Sequence, residues 1–424
     1  FAFGDSDAPV VALDYFASER RGALVAGILA RPDGRREVRV ASFRRQRSLF
    51  GVGDWQLAAN YEITEELTGT PRQVFINGLG NRVLATTDAG YLYVFTLEAD
   101  GLTLTQRLRP FEGDADPAIA SADWLLGNES LVLTSQTGEL RIAQPAVATA
   151  AEEAAGEGIR YVTEAKTFPP LPSGVDHLAQ SLRNRALLVT AGRTASLRYA
   201  TTESIRWEGE LPFTPEAIVI GARYDRFLAV SGDGRLHRFE IDDPHPESGF
   251  TAFFEPIWYE GQAGPDYVYQ ASAATESAEV KYSMVNLVWG SLKGTFFALI
   301  FAVPIALLAA MYTSQFLQPK LRKIVKPTME IMASLPSVVL GFLGGLWLAP
   351  LIETRMPAVL LMLVAIPTLA FAFGALWSRT PPQVRLAVRP GWEFLLFAPL
   401  LIAGAWACWQ LGPTLERAFF WVRS

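Results

Sequence analysis

The sequence predicts a multidomain chain, an N-terminal all-β domain followed by all-α transmembrane helices. Three observations predict it. Short β-type runs separated by Gly, Asp and Asn turns recur through roughly the first 250 residues. Long apolar runs then fill residues 284–424. The charge divides at the same place: from Lys281 onward there are 12 Lys and Arg against 4 Glu, while the first 280 residues hold 25 basic and 39 acidic side chains. An acidic, soluble-looking part argues against a nucleic-acid partner, which needs a basic face.

The β part repeats one phrase. NRVLATTDAGYLYVFTLE from Asn81, ESLVLTSQTGELRIAQP from Glu129, NRALLVTAGRTASLRYATT from Asn184 and DRFLAVSGDGRLHRFEID from Asp225 each read as strand, turn, strand. Their turn positions Gly90, Gly138, Thr194 and Gly234 are spaced by 48, 56 and 40 residues. A weaker copy, ALVAGILARPDGRREVRVASF from Ala23, turns at Asp33 and Gly34. A period of about 40 to 50 residues predicts a β-propeller of the WD40-like kind, here partial, over residues 1–249. No blade buries both faces alone, so blades stack around an axis. The longer step contains AVATAAEEAAGEG at 146–158, expected to be an exposed loop or short helix. Trp55, Trp124, Trp207 and Tyr224 are expected to fill the gaps between blades rather than line a binding face. Asp242, Asp243, His245 and Glu247 look ligand-like, but the DDPHPESG text reads as a solvated turn.

The three histidines, His177, His237 and His245, are not at metal-ligand spacing, so no zinc site is expected. Cys408 is the single cysteine, which excludes an intrachain disulfide. No Ser/His/Asp order suggests catalysis, and the chain is not expected to be an enzyme.

Residues 250–283 are dense in aromatics, including Phe250, Phe254, Trp258 and Tyr259, and read as an ordered collar followed by a hinge from Ala271 to Glu279. Four apolar spans are expected, at about 286–312, 331–352, 357–377 and 394–411. Basic residues Lys320, Arg322, Lys323 and Lys326 follow the first span, and Arg379, Arg385 and Arg389 follow the third. Both loops therefore fall on the cytoplasmic side and the β part on the outer side. Pro304 and Pro367 sit mid-span, where kinks serve function and packing alike. Glu330 balances the neighbouring Lys326.

The second span is unlike a plain anchor. EIMASLPSVVLGFLGGLWLAPL, from Glu330 to Leu351, is interrupted by Ser334, Pro336, Ser337, Gly341, Gly344 and Gly345. Small and polar residues let helices approach closely. These words, with the preceding GSLKGTFFALIFAVPIALLAAMYTSQF and LRKIVKP, resemble the permease subunit of phosphate-importing ABC transporters, a type I importer family, over roughly residues 250–350. The long proteobacterial form, with a large periplasmic domain and extra helices, is the nearer likeness. The resemblance implies an inner-membrane subunit that forms a phosphate path with a second permease subunit. It implies a periplasmic phosphate-binding protein and a cytoplasmic ATPase dimer carrying ATP and Mg, with no cofactor on this chain. No GxxxxGK[ST] loop is present, which agrees with hydrolysis by a partner.

One departure is plain: Trp377 leads into SRTPPQVRLAVRPGW without the family's EAA…G loop. The last two spans then read as an inserted hairpin, and the chain as part of a longer permease. On this resemblance Lys293, Ser334, Pro336, Ser337, Gly341 and Gly345 are the candidate path residues. The steps of three, four and four from Ser334 to Gly345 place one face of a helix against the path, or against a packed neighbour. Lys293 is either a snorkelling lysine or an attractive charge at the mouth. The rival readings are a membrane-anchored propeller acting as receptor, sensor or assembly factor, and a propeller dehydrogenase with a quinone site.

Overall fold

The computed structural model describes residues 8–18, 22–48, 51–114, 116–149, 161–270, 272, 275, 277–381, 383, 388 and 393–419. The chain divides into two compact units, Phe1–Gly294 and Thr295–Ser424.

The first unit is built from successive antiparallel sheets, each a simple meander. The first holds β1 Val10–Ser18, β2 Gly22–Ala30, β3 Arg36–Ser48 and β4 Gly51–Glu62. The second holds β5 Pro71–Ile76, β6 Arg82–Thr87, β7 Leu92–Glu98 and β8 Gly101–Leu108. The third holds β9 Ile119–Trp124, β10 Leu131–Ser135, β11 Leu140–Ala146 and β12 Tyr161–Phe168. The fourth holds β13 His177–Gln180, β14 Ala186–Ala191, β15 Thr194–Tyr199 and β16 Ser204–Glu210. The fifth has three strands, β17 Pro215–Ile220, β18 Arg226–Ser231 and β19 Leu236–Glu240.

The repeated phrase is one repeated hairpin. In residues 31–35, 87–91, 135–139 and 231–235 the first N–H bonds the fifth carbonyl at 2.8–3.0 Å, and the glycine in fourth place bonds back to the first carbonyl. Those glycines, Gly34, Gly90, Gly138 and Gly234, all have φ between 76° and 91°, the left-handed region where a Cβ is unfavourable. Each hairpin joins the second and third strands of its sheet. The fourth sheet departs from the sequence expectation. Its turn is two residues, Gly192 and Arg193, and Thr194 is already the first residue of β15. The Gly192 N–H is held by the Asp176 carboxylate at 2.6 Å.

Each pair of consecutive sheets shares a core. Ile28 and Val40 of the first meet Val83 and Phe95 of the second. Leu84 and Val94 meet Trp124 and Leu133 of the third. Ile142 and Phe168 meet Leu187 and Val189 of the fourth. Leu188 and Leu197 meet Ile220 and Phe227 of the fifth. The same strands thus present apolar side chains on both faces, and β10 and β14 are buried throughout. Trp124 and Tyr224 fill inter-sheet gaps as expected. Trp55 does not: it is 39% exposed on β4, the fourth strand of its sheet. Trp207 of β16 is 42% exposed, but its ring lies 6.4 Å from that of Phe227 in the fifth sheet. The part of the Ala/Glu insert from residue 150 to 158 lies outside the described residues.

Residues 250–283 belong to the same unit as the sheets. They carry α1 Phe250–Phe254 and the two-residue strands β20 Tyr269–Gln270 and β21 Lys281–Tyr282. Phe250 and Phe254 are exposed, whereas Tyr259 is fully buried. Part of the expected hinge, residues 271, 273, 274 and 276, lies outside the described residues.

Helix α2, Val285–Met311, begins in the first unit and continues into the second. Then follow α3 Pro319–Ser334, α4 Ser337–Leu343, α5 Ala349–Glu353, α6 Met356–Arg379 and α7 Glu393–Phe419. Three of these segments are long and apolar enough to cross a membrane: 285–316, which includes α2, then α6, and Leu396–Thr414 within α7. Helices α6 and α7 pack as a hairpin. Gly404 lies against Leu369, Gly412 against Ala358, and Phe373 stacks on Phe397 at 5.0 Å. Cys408 is buried there. Pro304 and Pro367 sit inside continuous helices.

The hairpin glycines allow a paired test of this fold. A Cβ on Gly90 would lie 2.1 Å from the Pro117 carbonyl, whereas one on Gly234 meets nothing within 4 Å. Gly234→Ala should cost only the left-handed penalty, about 1–2 kcal/mol. Gly90→Ala should cost clearly more, because Pro117 must also move. Equal losses in thermal unfolding of the two variants would contradict the hairpin geometry.

Candidate functional site

The stretch from Glu330 to Leu351 folds differently from the single span that its hydropathy suggests. Leu335 precedes a proline, and the proline ring disfavours helical backbone at the preceding residue. Leu335 is accordingly extended, at φ −66° and ψ 135°, and α3 stops at Ser334. Pro336 caps the start of α4, and its carbonyl accepts from the Val339 N–H at 3.0 Å. The helical pair 319–334 and 337–353 is bent by 88° at this break.

This corrects the expected single face. Ser334 lies on α3, before the break, and its hydroxyl donates to the Ile331 carbonyl at 2.7 Å. Ser337 and Gly341 share a face of α4, one helical turn apart. Gly345, four residues beyond Gly341, falls in the π-helical turn Gly344–Leu348 that continues α4. Pro336, read as a tolerated interruption, is the hinge of the break. Lys293 is exposed on α2, in the first unit. The structure therefore brings Pro336, Ser337 and Gly341 together on α4 and leaves Ser334 on α3, across the break. The basic residues 320–326 form part of a regular helix, α3, and not a loop.

The first unit holds a buried charge network that sequence reading missed. Glu279, in the stretch read as a hinge, is buried with its carboxylate 3.6 Å from the Lys166 ammonium of β12. The Thr201 hydroxyl donates to it at 3.0 Å and the Glu260 N–H at 2.7 Å. Glu260 in turn takes both Nη groups of buried Arg185, and the Ser130 hydroxyl donates to it. Gln144 donates to the Trp258 and Tyr259 carbonyls, and the Gly261 N–H donates to the Pro145 carbonyl at 2.7 Å. Residues 258–262 and 277–281 are thereby fixed to the third and fourth sheets. Burial alone would raise the Glu279 carboxyl; Lys166, Arg185 and the two hydrogen bonds hold it below its ordinary value. Nothing in ATESAEVKYS marks this glutamate, since its side-chain partners Lys166 and Thr201 lie 113 and 78 residues earlier.

Beside a cavity of about 470 Å³ bordered by Arg36, Arg72 and Asp88, two more flank the sheets. One, of about 250 Å³, is lined by Ser121 and Asp123 of β9, His177 of β13, Ala217 and Ile218 of β17, and by Asp176. Burial raises the carboxyls of Asp123 and of nearby Asp14, and their mutual repulsion raises Asp123 further. The other is a cleft of about 1320 Å³ at one end of the fourth and fifth sheets, bordered by Arg183, Tyr199, Arg223, Asp225 and the 277–280 segment. Asp243, expected to be solvated, accepts there from Arg206 and from the Tyr224 hydroxyl at 3.0 Å. The larger cleft carries charges of both signs, whereas the smaller cavity is lined by Asp123 and Asp176 beside apolar Leu178, Ala217 and Ile218. Among the described residues no three His, Cys, Asp or Glu side chains group to hold a metal ion.

No protein-family model matches the chain. No curated protein matches it either.

The network gives a stability prediction with a definite sign. A carboxyl held below its unfolded value of about 4.5 stabilises the fold above that pH, and the contribution is lost as pH falls through the lower folded value. Glu279→Gln leaves Lys166 buried without its counter-charge, so it should cost about 3–5 kcal/mol at pH 7. Unfolding of the full chain in detergent should show this loss at pH 7 and a much smaller difference from wild type near pH 3. An equal difference at both pH values would exclude the ion pair as its source.

Proposed function

We propose that this chain is a transmembrane subunit of an ATP-driven phosphate importer of the ABC class. The carrying observation is the break at Pro336. The residues that resemble the phosphate-permease family, Glu330 to Gly341, lie across it, joining a basic amphipathic helix to an apolar one. Three bilayer-length apolar helices accompany it, more than an anchored receptor needs. A path that must open and close favours a helix interrupted where other protein can cover the exposed backbone. Ser337 and Gly341 on α4 are the residues proposed to border the path. The hydroxyl can donate to a phosphate oxygen, and the glycine leaves room for an anion or a moving helix.

On this reading a second permease subunit completes the path, a periplasmic binding protein delivers phosphate, and a cytoplasmic ATPase dimer supplies the energy. The sheets are read as blades of a propeller on the periplasmic face of the inner membrane. Contacts of first strands with one another, β1 with β5, β9 with β13 and β13 with β17, support a common axis. So does the cavity that β9, β13 and β17 line together. The charges of α3 and of Arg379 support an inward placement of the helix ends they occupy.

The test is phosphate uptake by proteoliposomes containing the complex formed with this chain. ATP-dependent uptake is expected, with Ser337→Ala lowering it roughly tenfold through loss of a hydrogen bond to a charged ligand, at unchanged assembly. Wild-type kinetics in Ser337→Ala would remove this hydroxyl from the mechanism. A complex that assembles and hydrolyses ATP but carries no phosphate would overturn the family reading.

A further inference from the structure

Helix α3 has two faces of opposite character. Leu321, Val325, Met329 and Met332 follow one another at four, four and three residues and share one side. Lys323, Lys326, Glu330 and Ser334, spaced three, four and four, share the other. Lys320 and Arg322 border the polar side, so four cations stand against one acid. Sixteen residues rise about 24 Å, too short and too charged to cross a core of ~30 Å.

Its surroundings fix where it lies. The Arg322 guanidinium donates to the Thr313 carbonyl at 3.0 Å and to the Ser314 carbonyl, tying the start of α3 to the end of the bilayer-length segment 285–316. At its other end the 88° bend turns the chain into the apolar α4. A helix pinned at the end of one bilayer-length segment and bent by 88° from the apolar helix that follows has a geometry suited to the boundary of an apolar layer.

We propose that α3 is an interfacial helix that binds anionic phospholipid headgroups. Its Leu321 side sinks to the headgroup–acyl boundary, and Lys320, Lys323 and Lys326 reach the lipid phosphates. Charge complementarity selects this occupant: a leaflet offers apolar depth and negative charge at once, which suits both faces of α3. A soluble protein partner would leave the apolar side to be covered separately. The inference rests on reading 285–316 as a membrane span, and the experiment separates the two.

The test uses the full chain with Cys408→Ser, reconstituted in vesicles of phosphatidylcholine with or without 30% phosphatidylglycerol (a chosen composition, on the order of that in anionic membranes). Single cysteines at Leu308, Val325 and Glu330 carry an environment-sensitive fluorophore. In anionic vesicles the Val325 label should be quenched by lipids with a nitroxide near the headgroup and shielded from iodide. The Glu330 label should be quenched by iodide, and the Leu308 label by deep-chain nitroxides. Neutralising the cations in Lys320→Gln/Lys323→Gln/Lys326→Gln, or omitting phosphatidylglycerol, should raise iodide quenching at Val325 to the Glu330 level. A Val325 label that is aqueous, deep, or shielded from lipid and iodide alike overturns the proposal, the last meaning that protein covers it. Shielding unaffected by both charge removal and lipid composition overturns the anionic-lipid assignment. If Leu308 itself is aqueous, the membrane reading fails and takes this proposal with it.

Discussion

Apolar surface must be covered, and the two units of this chain meet that constraint in opposite ways. In the first unit each inner sheet, the second to the fourth, has apolar side chains on both faces, so it cannot stand alone in water. Its neighbours supply the cover, and the four shared cores between consecutive sheets are the result. In the second unit the helices other than α3 are apolar nearly all round and mostly without protein cover: Val338 is 79% and Phe371 82% exposed. Such surface is stable only against lipid or other membrane helices. Helices α6 and α7 cover part of each other by close approach at Gly404 and Gly412.

The same constraint explains what was legible in the sequence. The hairpins were readable because glycine at a left-handed position is a local necessity, and three of the four expected turn positions coincide with it. Thr194 was misplaced because a two-residue turn replaces the longer one there, and alignment to the neighbouring phrases carried the glycine two positions out. The apolar helices were readable from hydropathy alone. The break at Leu335 was not, because the second span was judged by its length, although the residue preceding Pro336 held the signal. Trp55 was assigned to a gap by residue type, but it stands on the fourth strand of its sheet, where cover is incomplete.

Least legible was the buried network around Glu279 and Glu260. Its members are polar residues from strands, turns and the segment before α2, and each has an ordinary local context. Only the fold brings Lys166, Thr201, Arg185 and Ser130 to the two carboxylates. The consequence is mechanical: the segment that precedes α2 is fixed to the sheets by ion pairs and backbone hydrogen bonds.

The central claim is that the apolar helices cross a membrane with the sheets outside and the basic helix ends inside. Thiol accessibility in intact spheroplasts tests it most directly, in a Cys408→Ser background. Gln136, exposed in the turn between β10 and β11, and Gln383, exposed beyond α6, are suitable sites for single cysteines. The account predicts that Gln136→Cys reacts with a membrane-impermeant maleimide added outside, and that Gln383→Cys reacts only after the membrane is permeabilised. The reverse pattern, or equal labelling of both sites in intact cells, would contradict it.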